Sequence, residues 1–516
     1  MMRQSKRVRN DGQLSKEEYN QKELEVSKTP RAPFQRASQN ILANRRMVKT
    51  IPKSKDRYAE YMKMVSALNF SFKDWLENQL NNEGKDADLS EGIADYIAYA
   101  EQLDERYLKK HGEVLTFGSG DCGQLAHHFE DDDDREVKFP RIVYSLRSKQ
   151  VCSIACGGLH NAVCTSDGQV WTWGCADDGG LGRTGEENLP GLVGGVLEGE
   201  TVTQVACGDS HTIALTLSGN VYGWGAYKDK EGKAWFDGEG KDDIKKTQKI
   251  PFHIKELHGI CDVKCGVSFN LALDISGQAF SWGIGECGEL SRVVCKMRFE
   301  NGDYDFGNIF STHLTPAKVN IGRIGSGDLQ VVVKAIGCGG YHSFVITSPN
   351  FEMFSSGLNN YGQLGLGDEN NRNIFEKIVE LDGCEISQAT GGMHHSLVMS
   401  QATGKLYAFG RGDSGQLGIQ QKPSVGYYEK YPVEVEIDEA VKTIDCGANH
   451  NLVLSKKGSL YSWGYGDMNQ LGHGKDGDEN TPKKLNFKKK EFSKITVLQI
   501  AGGGQHSAII GDVTSA

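Results

Sequence analysis

The pattern of apolar and polar positions in residues 205–225 predicts two short β-strands joined by a tight turn. Residues 211–217 are rich in Ile, Thr and Leu, Ser218 and Gly219 supply the turn, and residues 221–224 return with β-branched and aromatic side chains. Two strands alone cannot bury a hydrophobic face, so a unit of this kind must pack against copies of itself.

Both halves of this unit recur seven times along the chain. The Gly-rich first halves are CGGLH at 156–160, CGDSH at 207–211, CGVSF at 265–269, CGGYH at 338–342, TGGMH at 390–394, CGANH at 446–450 and GGGQH at 502–506. The aromatic-Gly second halves are TFGSGDCGQL from 116, TWGCADDGGLG from 172, GWGAYKDKEG from 223, SWGIGECGELS from 281, SSGLNNYGQLG from 355, AFGRGDSGQLG from 408 and SWGYGDMNQLG from 462. Successive first halves lie 51, 58, 73, 52, 56 and 56 residues apart, which is typical of one propeller blade with loops of variable length.

The order of the two halves predicts that the chain closes into a ring. No Gly-rich half precedes the earliest aromatic-Gly half, which reaches Gly118. No aromatic-Gly half follows the last Gly-rich half, which ends at His506. Strands from the two ends of the chain can therefore complete one blade. We predict an all-β fold, a seven-bladed β-propeller with four-stranded blades, spanning residues 113–511 and followed by a C-terminal tail at 512–516.

The chain before the propeller has a different composition. Residues 1–55 lack apolar periodicity and predict a disordered basic tail. Residues 1–57 contain 15 Lys+Arg and 6 Asp+Glu, a net charge of +9, which leaves −19 for the rest of a chain whose total is −10. The tail is interpreted either as a nuclear-targeting and DNA-phosphate-binding segment or as a solvated tail with no partner. Residues 56–112 show helical periodicity and predict a helical extension, whose role the sequence leaves open.

Composition excludes several classes of protein. No run of apolar residues approaches the ~18 needed to span a membrane, and the first ten residues, MMRQSKRVRN, lack the apolar core of a signal peptide. Five of the 13 cysteines share one repeat position, where a small buried hydrophobic side chain fits. We therefore expect a protein of a reducing, intracellular compartment, monomeric and without membrane association.

The motifs that suggest catalysis do not support it. Three loops match GxGxxG, but they recur as propeller turns and do not open a helix within a βαβ unit. The Cys-x3-His pairs occur one to a blade, so no second pair is close in sequence to complete a metal site. We predict no catalytic residue, no metal and no cofactor, and hence a protein that acts by binding. Three long connections are candidate binding elements: 129–136, 227–246 and 293–313. The alternative is a tolerated insertion on an exposed rim, which is the favoured interpretation for the acidic connection 129–136.

With these repeats in place, residues 113–511 resemble the regulator of chromosome condensation family, whose signature is a Gly-x-His strand, a turn, an aromatic-Gly strand and GQLG. The stretches LTFGSGDCGQL, WGCADDGGLGR, AYKDKEG and GGMHHS, with the basic tail, are most similar to the chromatin-bound exchange factors for the small GTPase Ran. The resemblance implies a guanine nucleotide exchange factor without covalent chemistry, located in the nucleus on chromatin. The alternative is a propeller scaffold that binds another protein and exchanges nothing.

The resemblance also implies which residues bind the GTPase. The acidic residues of the exchange face correspond to Asp121, Asp177 and Asp229, and two histidines of that face correspond to His394 and His506. For each aspartate alone, a turn residue that caps its own loop is an equally good interpretation. For the two histidines, a structural role is the stronger interpretation from the residues alone, since His160, His211, His342 and His450 share their repeat position, and only the resemblance sets the two apart. A β-wedge between the second and third blades falls within residues 190–200 and comprises Gly191, Leu192, Val193, Val196, Leu197 and Glu198.

Chromatin contacts are implied at two places. The resemblance and the charge of the tail assign contacts with nucleosome histones and DNA to basic residues of the tail and of a loop in the fourth-blade region. These residues are Lys6, Arg7, Arg9, Arg45, Arg46, Arg292, Lys296 and Arg298.

Overall fold

The computed structural model describes residues 111–129, 135–236, 245–297, 304–321, 331–420, 424–487 and 492–515. The predictions for the basic tail and for all but two residues of the helical extension lie outside these ranges. Within the ranges, no helix is long and apolar enough to cross a membrane.

The described residues contain seven four-stranded antiparallel sheets and one two-stranded hairpin. The innermost strand of each sheet contacts the innermost strand of the next, and the last contacts the first. The prediction of a seven-bladed β-propeller with four-stranded blades is therefore confirmed.

The strands, in chain order, are β1 (Glu113–Ser119), β2 (Glu136–Ile142), β3 (Val151–Cys156), β4 (His160–Thr165), β5 (Val170–Gly174), β6 (Gly191–Val193), β7 (Val202–Cys207), β8 (His211–Thr216), β9 (Val221–Gly225), β10 (Tyr227–Lys228), β11 (Ala234–Trp235), β12 (Gln248–His253), β13 (Ile260–Cys265), β14 (Phe269–Asp274), β15 (Ala279–Gly283), β16 (Ala317–Lys318), β17 (Val332–Cys338), β18 (His342–Ser348), β19 (Met353–Gly357), β20 (Arg372–Lys377), β21 (Ile386–Gly391), β22 (His395–Ser400), β23 (Leu406–Arg411), β24 (Tyr428–Val435), β25 (Val441–Cys446), β26 (His450–Ser455), β27 (Leu460–Gly464), β28 (Glu479–Lys484), β29 (Phe492–Gly502) and β30 (His506–Ser515). Helical structure in the described residues consists of α1 (Phe306–Ile309), a π-helical turn (Phe310–Leu314) and 3-10 turns at Tyr144–Leu146, Gly195–Leu197 and Val379–Leu381.

Blade 1 joins the two ends of the propeller. Its strand order is β2-β1-β30-β29, and β1 pairs with β30 from Glu113 opposite Gly511 to Gly118 opposite His506. The predicted closure is thus confirmed. The expected tail at 512–516 is wrong for residues 512–515, because β30 continues to Ser515 and pairs there with β29.

Blades 2 to 7 follow in chain order. They are built from β3–β6, from β7, β8, β9 and β12, and then from β13–β16, β17–β20, β21–β24 and β25–β28. The second strand of each of these blades is buried along almost its whole length, because neighbouring blades cover both of its faces.

Tryptophans of the aromatic-Gly strands in blades 2, 3 and 7 tie these blades to the preceding ones. Trp173, Trp224 and Trp463 are fully buried. Their indole N–H groups donate to the carbonyls of Gln124, Gly180 and Gln416 at 2.9, 2.8 and 3.1 Å, which satisfies a polar group that burial would otherwise penalise.

Histidines of the Gly-rich halves form a second set of contacts between blades. Each Nε2 lies 2.8–3.0 Å from the second side chain of the corresponding strand in the next blade: His160 and Thr212, His211 and Asn270, His342 and Ser396, His395 and Asn451, His450 and Ser507, and His506 and Asn161. Phe269 occupies the seventh position. These bonds explain why a histidine recurs at this position of the repeat.

The histidine of blade 6 corrects the repeat alignment. His395 starts β22 and makes the inter-blade bond, whereas His394 precedes the strand. The placement of His394 at the common histidine position was therefore wrong by one residue. Gly391, not Thr390, then stands where five other blades have cysteine.

We call the end of the propeller where the aromatic-Gly strands end and the His-containing strands begin the upper face, and the other end the lower face. Seven backbone bonds of 2.8–3.3 Å link the blades around the upper face: Gly158 to Gly208, Asp209 to Val267, Val267 to Gly340, Gly340 to Gly392, Met393 to Ala448, Ala448 to Gly503, and Gly504 to Gly157. Gly174 ends β5 at φ 105°, and a Cβ there would lie 2.4 Å from the Leu159 carbonyl oxygen. The upper face is thus a rigid platform that presents the loops that follow.

Candidate functional site

The loops after the aromatic-Gly strands place carboxylates around the upper face. Five blades carry an acid three residues after the strand's final glycine: Asp121, Asp177, Glu286, Asp413 and Asp467. Asp121, Asp177 and Asp467 are exposed and lie on the adjacent blades 1, 2 and 7. Burial, together with the charges of Asp121 and Asp177, raises the pKa of the Cys122 thiol, which shows that both carboxylates act on one point of the face.

The other two acids are paired with basic side chains. Asp413 accepts two bonds from Arg411, at 2.8 and 2.9 Å. Glu286 lies 3.5 Å from the ammonium of Lys230 and accepts the Lys230 backbone N–H at 2.8 Å. Sequence reasoning missed Glu286, Asp413 and Asp467, although counting three residues from each glycine identifies them.

Asp229 does not belong to this ring. Lys228 stands at the ring position in blade 3, and Asp229 follows it with only 8% of its surface exposed. Its Oδ1 accepts the backbone N–H groups of Glu231 and Lys233, and its Oδ2 accepts the Trp235 indole N–H at 2.9 Å. Asp229 is therefore a loop-capping residue, the alternative given above, and the expectation that it is one of the acidic residues of the exchange face is wrong.

His394 lies in an aromatic cluster on the upper face, which we define as His394, Tyr341, Tyr361 and Tyr428. The His394 ring centroid lies 6.1 Å from Tyr341 and 5.2 Å from Tyr361, and Tyr361 is 6.2 Å from Tyr428. Burial, with the charge of Arg411, lowers the pKa of His394, so the ring is neutral near pH 7. His394 is half-buried, and Nδ1 has no hydrogen-bond partner among the described residues.

His506 is not on a face. Its side chain is fully buried, and its Nε2 bonds Asn161 across the closure between blades 1 and 2. Burial lowers the pKa of His506 to about 3. The expectation that His506 lies on the exchange face is therefore wrong, because it serves the same contact between blades as five other histidines.

The expected β-wedge at 190–200 is part of blade 2. Gly191, Leu192 and Val193 form β6, the outer strand, and Gly195–Leu197 is a 3-10 turn that leads to blade 3 at the lower face. Val193 and Leu197 are buried in the hydrophobic core, whereas Leu192, Val196 and Glu198 are exposed. This stretch completes a sheet and does not project, so its assignment as a wedge is wrong.

A hairpin formed by β10 and β11 extends from the upper face instead. Tyr227 pairs with Trp235 and Lys228 with Ala234. The Lys228 backbone N–H donates to the Ser268 hydroxyl at 2.9 Å, and its ammonium lies 2.6 Å from Asp178. The tip, residues 230–232, is exposed. The long connection 227–246 was the sequence signal for this element.

The chromatin residues of blade 4 have different environments. Arg292 has 9% of its surface exposed, and its Nη2 donates to the carbonyls of His313 and Thr315 at 3.0 Å each. Burial lowers its pKa to about 10. Its assignment as a surface chromatin contact is wrong, whereas Lys296 is exposed. The others, Lys6, Arg7, Arg9, Arg45, Arg46 and Arg298, lie outside the described residues.

Comparison with known proteins identifies the family. The model of the RCC1-like domain matches residues 113–509. The chain belongs to the RCC1-like family. The regulator of chromosome condensation from Mus musculus is 32% identical over 406 residues, which cover 77% of this chain and 90% of that protein.

Two further relatives show what the similarity leaves open. The crystal structure of Prp20p from Saccharomyces cerevisiae, described with its binding properties to Gsp1p and histones, is 28% identical with a TM-score of 0.69 and covers 80% of this chain and 95% of that chain. The ultraviolet-B receptor UVR8 from Arabidopsis thaliana is 30% identical over 376 residues, 72% of this chain and 77% of that protein. Since similar identities accompany different roles, function must be argued from the site.

Proposed function

We propose that this protein is a guanine nucleotide exchange factor for the small GTPase Ran. One observation carries the proposal: the upper face sets the exposed carboxylates of Asp121, Asp177 and Asp467 on adjacent blades of the same platform that holds the aromatic cluster around His394. Carboxylates attract a basic protein surface, and partly exposed aromatic rings supply contact area. The sequence resemblance to exchange factors and the reported binding of Prp20p to Gsp1p support the choice of partner.

Exchange of this kind needs no covalent chemistry. A factor that binds the nucleotide-free GTPase better than the loaded one weakens nucleotide binding by the same factor, because the two equilibria are linked. A thousandfold faster release of GDP corresponds to a barrier about 4 kcal/mol lower. Nucleotide and magnesium ion belong to the GTPase, and the platform supplies compensating contacts.

The β10–β11 hairpin is the element we assign to displace the nucleotide-binding loops of the GTPase. It extends from the upper face, and it is held in blade 3 by Asp229 and against blade 4 by Ser268 and Glu286. A tip that is exposed but restrained by these contacts loses less conformational entropy when it inserts into a partner.

We further propose that the protein acts in the nucleus on chromatin. The basic tail, with Lys6, Arg7, Arg9, Arg45 and Arg46, supplies salt-dependent contacts with DNA phosphates, and Lys296 lies on an exposed loop. Deletion of residues 1–52 is expected to abolish nucleosome binding while leaving exchange intact. Unchanged nucleosome binding would contradict the role of the tail.

The exchange proposal is tested with Ran loaded with fluorescent GDP in excess GTP. The wild-type protein should accelerate release, and the double variant Asp121→Asn/Asp177→Asn should slow it at unchanged thermal stability, since both side chains are exposed. Glu380→Gln changes an exposed acid in the 3-10 turn at the lower face and is the matched control. Acceleration that is equal in all three proteins would contradict the assigned face.

A further inference from the structure

The hairpin is joined to blade 4 by an aromatic cage, which we define as Trp235, Tyr304 and Phe306. The ammonium of Lys233 lies 3.2 Å from the ring centroid of Tyr304, 4.2 Å from that of Trp235 and 5.3 Å from that of Phe306. The three ring centroids are 5.2–6.1 Å apart. This arrangement is the one that aromatic rings use to bind a cationic ammonium group.

The cage is built from two insertions that are far apart in sequence. Lys233 and Trp235 belong to the hairpin of blade 3, whereas Tyr304 and Phe306 belong to the connection between β15 and β16 of blade 4. Trp235 is 1% exposed and is fixed by its bond to Asp229. Lys233 therefore bridges two elements that no sheet joins.

The blade 4 side of the cage is firmly anchored. The Asp305 carboxylate caps α1 by accepting the Asn308 N–H at 3.1 Å. His313 is fully buried, with Nε2 2.9 Å from the Cys295 carbonyl, and Arg292 donates to its carbonyl at 3.0 Å. The loop thus presents Tyr304 and Phe306 as a fixed surface for the lysine.

The charge pair between the hairpin tip and blade 4 is a weaker contact than the cage. Lys230 is 74% exposed where it approaches Glu286, so water and salt screen that pair. An ammonium covered by three rings is partly removed from water, and its attraction to the ring faces is correspondingly stronger and less sensitive to salt. The cage is therefore a stronger contact between the hairpin and blade 4 than the Lys230–Glu286 pair.

We propose that Lys233 is a positioning residue for exchange, which clasps the β10–β11 hairpin to blade 4 so that its tip is held ready to enter the GTPase. This inference rests on the proposed function. Lys233 acts through the hairpin and need not contact the GTPase itself.

Three variants test the clasp. Lys233→Met keeps the length of the side chain but removes the cation, and Lys233→Arg keeps a cation that also stacks on aromatic rings. Phe306→Leu keeps an apolar side chain and the net charge but removes one ring face. Lys334→Met is the matched control, because the Lys334 ammonium lies 4.0 Å from the ring centroid of Phe351 in blade 5.

The readout is GDP release from Ran at saturating exchange factor, with amide hydrogen exchange of residues 227–235 measured in parallel. Lys233→Met and Phe306→Leu should each lower the maximal rate about three- to tenfold and leave the half-saturating concentration nearly unchanged. Lys233→Arg should restore most of the rate, and Lys334→Met should match the wild type. The double variant Lys233→Met/Phe306→Leu should lose no more than Lys233→Met, since both break one contact.

If the wild-type protein accelerates GDP release and the variants Lys233→Met and Phe306→Leu accelerate it equally, the clasp is overturned and the proposed function stands. If the wild-type protein does not accelerate GDP release, the proposed function is overturned. Amide hydrogen exchange then tests whether Lys233 holds the hairpin against blade 4. Faster exchange of the hairpin amides in both variants but not in Lys334→Met supports it, and equal protection in all proteins contradicts it.

Discussion

Glu289 makes the stability of the propeller depend on pH in a way that one substitution should remove. It stands in blade 4 where blades 1, 5, 6 and 7 carry Gln124, Gln363, Gln416 and Gln470. The side-chain oxygen of each glutamine accepts the backbone N–H two residues earlier at 2.8–3.0 Å, and Glu289 accepts that of Cys287 at 2.7 Å. Glu289 is 4% exposed, and burial raises its pKa from 4.5 to about 8.

The sign and size of the effect follow from these values. A carboxyl group whose pKa is higher in the folded than in the unfolded protein binds more protons when folded, so stability falls as pH rises from 4.5 to about 8. The slope within this window is about 1.4 kcal/mol per pH unit. The buried Glu289 carboxyl group, which stays protonated in the folded protein after the unfolded chain has lost that proton, therefore lowers stability by about 3–4 kcal/mol at pH 7.5 relative to an uncharged side chain of the same shape.

The substitution Glu289→Gln supplies an uncharged side chain of the same shape and keeps the bond from the Cys287 N–H. Equilibrium urea denaturation at pH 5.5, 7.0 and 8.5 should show the variant more stable than the wild type by about 1 kcal/mol at the lowest pH and by about 4 kcal/mol at the highest. The matched control is Gln470→Glu, which introduces the same buried acid into blade 7 and should create the same loss of stability with rising pH. A stability difference between Glu289→Gln and wild type that is independent of pH would refute the reasoning.

Three further predictions concern the histidines and the acidic face. His506→Ala should lower the free energy of unfolding by about 2–4 kcal/mol, because it leaves a cavity and removes the bond to Asn161. His394 is half-buried, so His394→Ala should slow nucleotide exchange with little change in thermal stability. Burial lowers the pKa values of His160, His211, His342, His395, His450 and His506 to about 3–4, so stability should fall steeply as pH drops below 6.5, which acid titration followed by circular dichroism would detect. Raising the salt concentration should lower the affinity of the wild-type protein for Ran more than it lowers the affinity of the variant Asp121→Asn/Asp177→Asn. Equal salt dependence of the two affinities in a binding titration would contradict a charge-based contact.

The fold could be predicted from the sequence because its determinants are local and repeated. The order of the two halves specified the closure between β1 and β30, since a chain that begins with one half and ends with the other leaves a single way to complete a blade. The double histidine GGMHHS was ambiguous by one residue, and only the strand pairing of His395 resolves it.

The candidate site was less predictable because exposure depends on contacts that no repeat specifies. Asp229 and Asp177 both follow an aromatic-Gly strand, but Asp229 is buried and accepts a hydrogen bond from the Trp235 indole, whereas Asp177 is exposed. The stretch at 190–200 contains apolar residues that are compatible with either a projecting element or an outer strand. The pairing of β6 with β5 shows that it forms an outer strand. The cage around Lys233 joins two insertions outside the repeat, where the pattern carries no information.

The most direct test of the proposed function is the rate of fluorescent GDP release from Ran, measured with increasing amounts of this protein in excess GTP. We predict a saturable acceleration of about a thousandfold, equivalent to about 4 kcal/mol in the barrier. Release that stays at the intrinsic rate at every concentration would contradict the account, leaving a propeller whose upper face binds some other protein.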